Sequence, residues 1–305
     1  TSTHLASSAA SDVYKRQLVR KVKNSGTKIL YKNSIYTVIL IFMTIAILVV
    51  ALQYPLNTNY IALAIGIALL AMFIPIARSQ NTKEQKEKVY AYIILATFGL
   101  VFWSAYQLAP MALTVFTEAN VDKHIFGFTI QTQWFQNVNT VVIAMGGVLL
   151  PSLLIIIRRK FIFSFPMQFC FSILFIGIGF LMLVIGIFSA NKLGQTAAIW
   201  LILSYIFQSI GELLISPTGY AMIGKLASPR LQGLMMGSWM VVTGSTSGVI
   251  ASLLSILVAS PDINATPLET NHNYLTLFAG LAIIAGIAAF IMYVLIPRIR
   301  RLAHI

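Results

Sequence analysis

The chain has 305 residues, of which 58% are hydrophobic and only 10% are charged, and its mean hydropathy is +0.85. Soluble domains average about 45–50% apolar and about 25% charged residues, so this composition excludes a water-soluble globular domain. It also excludes a disordered chain. The single cysteine, Cys170, excludes a disulfide framework and a cysteine-based metal site. We therefore predict an all-α integral membrane protein.

The first 17 residues, TSTHLASSAASDVYKRQ, are small and polar and differ from the apolar remainder. We interpret residues 1–17 as a non-native or disordered flank that takes no part in the fold. A basic stretch follows and is interpreted as a cytoplasmic segment. A chain that begins and ends on the cytoplasmic side in this way is expected to be the later part of a longer protein.

Apolar runs of bilayer length, about 20 residues each, predict eight transmembrane helices, roughly at 35–53, 60–77, 89–117, 134–157, 162–188, 197–224, 234–258 and 274–297. The first two are short, contain no ionisable residue and are expected to form a hairpin. A charged linker, RSQNTKEQKEK, separates them from the later six spans. This predicts a region of cytoplasmic segment, two-helix hairpin and linker over 18–88 and a six-helix bundle over 89–305.

The net charge of +13 could indicate a nucleic-acid partner, but the positions of the charges argue against one. Eight spans place both termini on one side of the membrane. All Lys and Arg residues except Lys123 and Lys192 fall in segments on that side. Basic loops resist translocation, so this side is predicted to be cytoplasmic, with both termini inside.

Glu212 is the outstanding polar residue of the predicted spans. It lies near the middle of the sixth span and is the only one of the eight Asp and Glu residues deep inside an apolar run. Inserting such a charge costs about 2.5–3.5 kcal/mol on translocon scales, so the carboxyl must be protonated, paired or in contact with water. Gln208 and Ser216 lie four residues to either side and predict a polar stripe. We favour a site that binds a cation or a proton. The alternative is a glutamic acid neutralised by helix packing.

Two other spans carry polar and aromatic residues at informative positions. In the third span, Trp103 and Gln107 lie four residues apart on one face, and Pro110 is expected to kink the helix and open space for a cavity. Ordinary packing and an interhelical hydrogen bond are the alternative for this pair. The fourth span begins with QTQWFQNVNT, whose Asn139 is either an interfacial or capping residue or part of a site.

The seventh span is rich in small residues. Gly233 and Gly237 form one G-x-x-x-G pair, and Gly244 and Gly248 form another, which predicts close backbone approach between helices. Trp239 lies beside them. Its indole either closes a cavity or anchors the helix at the cytoplasmic interface.

The sequence contains no recognisable catalytic motif. All four histidines lie in predicted loops or tails, and no H-E-x-x-H motif or glycine-rich phosphate loop occurs. We therefore predict no enzyme and no metal or other cofactor. A helical bundle with one deep carboxyl, a few amides and indoles has the ingredients of a binding cavity in a secondary transporter.

Three motifs carry a resemblance to a known family: SYIFQSIGELLISPTGYAMIGKLASPRLQGLMMGSW, QTQWFQNVNT and, more weakly, FWSAYQLAPMALTVF. From Val89 to Arg301 the chain resembles the C-terminal half of the proton-dependent oligopeptide transporters. These are the di- and tripeptide permeases of the major facilitator superfamily. Residues 35–77 look like the extra helix pair that bacterial members place between their two six-helix halves. The resemblance implies a major facilitator C-terminal bundle preceded by a two-helix hairpin, in a bacterial inner (plasma) membrane.

The resemblance also implies roles for individual residues. Glu212 would receive the amino terminus of the peptide, with Asn139 assisting, and Ser216 would line the same pocket. Trp239 would pack against peptide side chains, and Trp103 would face the cavity. The implied function is proton-coupled import of di- and tripeptides by alternating access.

Position 107 departs from the family pattern. The family usually has an acid there that is thought to take part in proton coupling, whereas this chain has Gln107. Either Glu212 carries the proton, or groups outside this chain do. The expected partners are di- and tripeptides, protons, the lipid bilayer and a missing N-terminal six-helix half. The alternatives are a major facilitator permease for another small solute, such as a drug or a sugar, and a non-transporting membrane subunit.

Overall fold

A computed structural model of the chain describes residues 37–125, 127–160, 163–258 and 265–304. The predicted flank 1–17 lies outside the described residues. By their internal contacts, residues 1–58 and 59–305 form two compact units. The division predicted between residues 88 and 89 stays a prediction.

The described part of the first unit is helical. Helix α1 (Thr37–Gln53) is a short apolar helix with almost wholly exposed side chains. Pro55 begins helix α2, where its missing N–H costs no hydrogen bond. The Thr58 hydroxyl donates to the Ala51 carbonyl oxygen at 2.9 Å and bridges the turn between the two helices.

The second unit contains the rest of α2 and a series of helices joined by short strands. The elements are α2 (Pro55–Arg78), α3 (Lys83–Tyr106), α4 (Ala112–Asn120), β1 (Val121–Asp122), β2 (His124–Ile125), β3 (Phe128–Thr129), α5 (Thr132–Lys160), α6 (Phe165–Phe188), β4 (Thr196–Ala197), α7 (Ala198–Leu226), α8 (Gln232–Met240), a π-helical turn (Val241–Thr246), α9 (Ser247–Val258) and α10 (Pro267–Ala303). Strands β1 and β4 pair in parallel, and β2 and β3 form a small antiparallel hairpin. The all-α class is confirmed, because each of these strands has only two residues.

In the described part of the chain, six helical segments are long and apolar enough to cross a membrane: Pro55–Arg78, Lys83–Tyr106, Phe165–Phe188, Ala198–Leu226, Gln232–Val258 and Pro267–Ala303. The fifth of these runs continuously through α8, the π-helical turn and α9. Helix α5, with 29 residues, covers the predicted fourth span. Together these segments define a multi-pass membrane protein.

The outward faces of these helices are apolar. Ile283, Ile287 and Phe290 on α10 are more than half exposed, and so is Phe188 on α6. Large exposed apolar patches on a protein mark interaction surfaces or membrane contact. Because these patches lie on helices of bilayer length, we attribute them to contact with lipid.

Helix α6 forms the centre of the described bundle, with α7 on one side and α10 on the other. Its Phe169, Ile173 and Phe180 are fully buried. Phe180 also contacts Phe278 of α10, with ring centroids 5.8 Å apart. Phe175 of α6 stacks on Phe207 of α7 at a centroid distance of 6.2 Å, and this contact packs α7, the helix that carries Glu212, against α6.

The single helix predicted over 89–117 is interrupted. Helix α3 ends at Tyr106, and α4 begins only at Ala112. The residues between the two helices form turns in which a backbone N–H donates to the carbonyl oxygen three residues earlier. Examples are Ala109 N to Tyr106 O at 3.1 Å and Met111 N to Leu108 O at 3.1 Å. Pro110 has no N–H and disfavours a helical conformation in the residue before it, so the helix cannot continue through this segment. The kink predicted at Pro110 is in fact a break.

The predicted seventh span contains a π-helical turn at Val241–Thr246. Thr246 Oγ1 donates to the Val241 carbonyl oxygen at 3.2 Å, five residues earlier, and Ser247 Oγ lies 3.1 Å from the Gly244 carbonyl oxygen. These side chains supply donors to carbonyl groups in the widened turn. The helix therefore keeps its length but changes its local twist.

Close helix packing occurs at other glycines than the two predicted G-x-x-x-G pairs. A Cβ added to any of those four glycines would meet no atom of the described chain within 4 Å, so that prediction is wrong within this chain. Gly66 instead lies against Thr246, and Gly99 and Gly219 both lie against the Trp239 ring. These three glycines, on α2, α3 and α7, permit close approach to side chains of the seventh span.

Candidate functional site

Glu212 lies near the middle of α7, where it is half-buried. Lys225 in the last turn is the only other charged residue of this helix. Among the described residues, no ion pair includes Glu212. Its hydrogen-bond partners among the described residues are neutral side chains.

Three neutral side chains surround this carboxyl, and we call Tyr106, Asn139, Ser209 and Glu212 the carboxyl cluster. The Tyr106 hydroxyl donates to Glu212 Oε2, and Asn139 Nδ2 donates to the same oxygen at 3.2 Å. Asn139 Nδ2 also lies 3.0 Å from the Tyr106 hydroxyl and 2.9 Å from Ser209 Oγ, so one of its two protons is shared between two acceptors. The cluster thus joins α3, α5 and α7 through hydrogen bonds.

The end of α3 positions the Tyr106 hydroxyl. Tyr106 is the last residue of α3, and its ring stacks on Phe102 at 5.9 Å with an interplanar angle of 18°. Trp103 meets the same ring edge-on at 5.4 Å. These two contacts restrict the ring to one orientation.

The main chain of α7 positions Ser209. Its hydroxyl donates to the Tyr205 carbonyl oxygen at 2.6 Å, one helical turn earlier, and accepts from Asn139. Asn139 itself lies in the second turn of α5, which begins at Thr132. The capping interpretation of Asn139 is therefore wrong, because its side chain binds Glu212 instead of the helix end.

Trp103 lies beside the cluster and is half-buried. Its Nε1 is enclosed but has no hydrogen-bond partner among the described residues. An indole N–H normally finds an acceptor when it is buried. Trp103 Nε1 is therefore a buried donor that the described residues leave unsatisfied.

Among the described residues, Gln107 and Ser216 make no hydrogen bond to the Glu212 carboxyl. Gln107 is half-buried and follows the last residue of α3, where its backbone N–H donates to the Trp103 carbonyl oxygen at 2.9 Å. Ser216 lies half-buried one turn after Glu212 on α7.

Trp239 is 2% exposed and packs between helices. Its ring contacts Gly219 and Gly99, and it meets Phe169 at a centroid distance of 6.1 Å. Gly219 follows Glu212 by seven residues on α7, which corresponds to roughly 10 Å along the helix axis. The structure does not bring this indole into the carboxyl cluster.

The polar stripe predicted on α7 is divided between two neighbouring helices. Gln208 is 1% exposed, donates from Nε2 to Ser204 Oγ at 2.9 Å and lies against Gly179 of α6. Glu212 instead faces α3 and α5. Gln208 is thus a packing residue of the α6–α7 contact.

Our sequence analysis missed two members of the cluster, Tyr106 and Ser209. Tyr106 follows Trp103 by three residues, and Ser209 precedes Glu212 by three residues. Both i, i+3 and i, i+4 neighbours share a helix face, and Tyr106 and Ser209 stand at the i, i+3 spacing from Trp103 and Glu212. The sequence therefore contained a signal for both residues.

A bundle of membrane-length helices around a half-buried carboxyl, with amide and hydroxyl partners, defines the class of multi-pass membrane transporters. The sequence matches the family model described as POT family over residues 14–275. This chain therefore belongs to the POT family, whose members are peptide transporters and not enzymes. Membership also makes it a multi-pass inner-membrane protein.

Several curated relatives are named dipeptide and tripeptide permease A. The protein from Cronobacter turicensis is 33% identical over 265 residues, which are 85% of this chain and 52% of that protein. The protein from Chromobacterium violaceum is 29% identical over 251 residues, which are 82% of this chain and 50% of that protein. The chain thus spans about half the length of these relatives.

Solved structures show the same fold. A crystal structure of the peptide transporter POT in complex with sulfate matches with a TM-score of 0.73 and 21% identity, over 89% of this chain and 54% of that chain. A crystal structure of tetrameric PepTSo2 matches with a TM-score of 0.71 and 26% identity, over 87% of this chain and 54% of that chain.

Proposed function

We propose that this chain is part of a secondary active transporter that imports di- and tripeptides with protons by alternating access. The single observation that carries the proposal is the carboxyl of Glu212 at mid-helix, held by Asn139 and Tyr106 without a cation. Family membership and the peptide permeases among its relatives supply the substrate class.

The carboxyl suits one end of a peptide in particular. A di- or tripeptide carries an ammonium group at its amino terminus, and a carboxylate held by neutral donors keeps its net negative charge for such a group. A sugar offers no cation to balance this charge. The cluster therefore favours peptides over a sugar as the substrate.

The remaining site residues have proposed roles around that contact. Glu212 receives the peptide amino terminus and Asn139 assists, while Ser216 lines the same pocket. Trp103, with its unpaired indole N–H, faces the cavity.

Proton coupling in this half of the transporter falls to Glu212. Gln107 follows Trp103 by one turn and cannot carry a proton between two states as an acid does. Protonation of Glu212 removes the charge that holds the ammonium. A proton that enters with the peptide and reaches Glu212 on the inner side therefore favours release of the ammonium group into the cytoplasm.

The proposed topology has eight transmembrane helices, with both termini in the cytoplasm. A two-helix hairpin and linker over 18–88 precede a major facilitator C-terminal bundle over 89–305. Lys and Arg residues support the orientation, because all except Lys123 and Lys192 lie on the proposed inner side. An N-terminal six-helix half, not contained in this chain, completes the transporter and binds the peptide carboxylate.

Replacement of Glu212 in the complete transporter tests the proposal. Glu212→Gln keeps the shape of the side chain but removes its charge. A buried charge left without its partner costs about 3–5 kcal/mol, so uptake of alanyl-alanine should fall by roughly a hundredfold or more. Uptake is measured with labelled dipeptide in cells at equal amounts of protein in the membrane.

Glu118→Gln is the matched control, because Glu118 lies in the last turn of α4 and is exposed, with an ion pair to Lys123 at 2.9 Å. This control should transport normally. Normal uptake by Glu212→Gln would overturn the proposal.

A further inference from the structure

The two oxygens of the Glu212 carboxylate have different surroundings. Oε2 accepts from both the Tyr106 hydroxyl and Asn139 Nδ2. Oε1 has no hydrogen-bond partner among the described residues and is not an enclosed atom. Oε2 thus joins Glu212 to neighbouring helices, and Oε1 has no hydrogen-bond partner among the described residues.

The hydrogen bonds around Tyr106 run in one direction. Asn139 Nδ2 donates to the Tyr106 oxygen at 3.0 Å, so the Tyr106 proton is directed to Glu212. A phenol has one O–H donor, and this donor is committed to Oε2. Tyr106 therefore adds a donor to the cluster without adding a charge.

The groups that hold Oε2 are themselves held in place. Phe102 and Trp103 fix the Tyr106 ring, at centroid distances of 5.9 and 5.4 Å. Ser209 holds the Asn139 amide at 2.9 Å. Because both donors are fixed before any ligand binds, the carboxylate plane is fixed as well, and little entropy is lost on orienting it for a ligand.

We propose that Tyr106 is a positioning residue, whose hydroxyl occupies Oε2 of Glu212 together with Asn139 and so presents Oε1 alone to the ammonium group of the substrate. This inference rests on the proposed function and adds to it a residue and a single contacting atom. It also narrows the substrate class to peptides with a free amino terminus, because an ammonium group can donate to Oε1 with its charge intact. An acetylated amino terminus is neutral and has only one N–H.

A double-mutant cycle in the complete transporter tests this inference. The variants are Tyr106→Phe, Glu212→Gln and the double variant. For each, we would measure the concentrations of alanyl-alanine and of N-acetyl-alanyl-alanine that half-inhibit binding of a labelled dipeptide. Phenylalanine keeps the ring that packs on Phe102 and removes only the hydroxyl.

We expect Tyr106→Phe to weaken the binding of alanyl-alanine by about tenfold, because a hydrogen bond to a charged group is lost. Weak binding of the acetylated peptide should not change, so the selectivity for a free amino terminus falls. In the Glu212→Gln background, Tyr106→Phe should change the affinity for alanyl-alanine by less than twofold, because the hydroxyl acts through Glu212. Tyr274→Phe is the matched control, since Tyr274 is a buried tyrosine of α10 that packs on Phe116 and Phe278.

The possible failures are distinguishable. Unchanged binding by Glu212→Gln would overturn the proposed function, and this inference with it. Weak binding by Glu212→Gln combined with normal binding by Tyr106→Phe would overturn only the inference. The inference would also be overturned if Tyr106→Phe reduced the affinity for alanyl-alanine equally in the wild-type and Glu212→Gln backgrounds. It would be overturned as well if Tyr106→Phe reduced the affinity for both peptides equally. Either result would show a structural effect independent of Glu212.

Discussion

At the scale of single residues, the central feature is a carboxylate balanced by dipoles instead of by a cation. A buried carboxylate needs hydrogen bonds to offset the loss of water. Tyr106 and Asn139 supply them to Oε2, and neither brings a positive charge. These hydrogen bonds stabilise the cluster in a helical bundle, and in the proposed function the carboxylate is left to bind a cation. An Arg or Lys in the same place would satisfy Glu212 and remove its use as an ammonium site.

Asn139 should matter for affinity more than a similar amide on the same helix. Asn139→Ala removes donors to Glu212 and Tyr106, and hydrogen bonds to charged groups are worth about 1.5–3 kcal/mol. We expect the half-saturating concentration of alanyl-alanine to rise by about tenfold or more. Gln136→Ala is the control, because Gln136 on α5 binds Thr114 at 2.8 Å. Similar effects of the two substitutions would argue against a special role for Asn139.

At the scale of elements, interruptions of helices and close helix contacts determine where the site lies. Helix α3 stops at Tyr106, so the end of the helix directs this side chain toward α5 and α7. On the other side of the same bundle, Trp239 fits against two glycines of α3 and α7. This contact fixes the separation of the two helices that contribute Tyr106 and Glu212.

The contact at Gly219 gives a prediction about stability. A methyl group in place of its hydrogen would overlap the Trp239 ring. Helical Gly→Ala changes normally stabilise by about 0.5–1 kcal/mol, whereas overpacking costs about 1–3 kcal/mol. We expect Gly219→Ala to lower the unfolding temperature of the purified protein.

Gly147→Ala is the control for this experiment, because a Cβ there would meet no atom of the described chain within 4 Å. Gly147 also lies inside a helix, α5, so the gain in helix propensity is the same for both substitutions. An unfolding temperature that is equal or higher in Gly219→Ala than in Gly147→Ala would contradict the overlap.

At the scale of the whole molecule, the chain supplies a partner for only one of the two charges of the proposed peptide substrate. A peptide is a zwitterion, and Glu212 can compensate only its ammonium end. The peptide carboxylate needs a positive partner as well, since an unpaired charge is costly within the membrane. The chain spans about half the length of its curated relatives, and the proposed N-terminal half would provide that partner.

This reasoning predicts the behaviour of the 305-residue chain alone. Reconstituted in liposomes with an inward proton gradient, it should not accumulate labelled alanyl-alanine, because alternating access requires two halves that move around one site. The control is the complete transporter in the same liposomes, which should accumulate the peptide until the gradient is dissipated. Proton-driven accumulation by the 305-residue chain would refute the proposed two-half mechanism.

The class of fold and the key carboxyl could be predicted from the sequence for simple physical reasons. A mean hydropathy of +0.85 requires a membrane, and apolar runs of bilayer length require helices, because a helix satisfies its own backbone in lipid. Glu212 was recognisable because a lone acid in an apolar run is costly. The family resemblance depended on contiguous motifs, and the match over residues 14–275 confirms it.

Only the tertiary structure decided which side chains meet Glu212. Tyr106 and Asn139 lie 106 and 73 residues before it in the chain, and nothing in their local sequence specifies contact across three helices. The same holds for the glycines. A G-x-x-x-G pair indicates a helix face with small side chains, but it does not indicate which residues pack against that face. Hydropathy is a property of a segment and can be summed along the chain. Complementary contacts depend on the rotation and spacing of helices, which are determined only when the whole bundle packs.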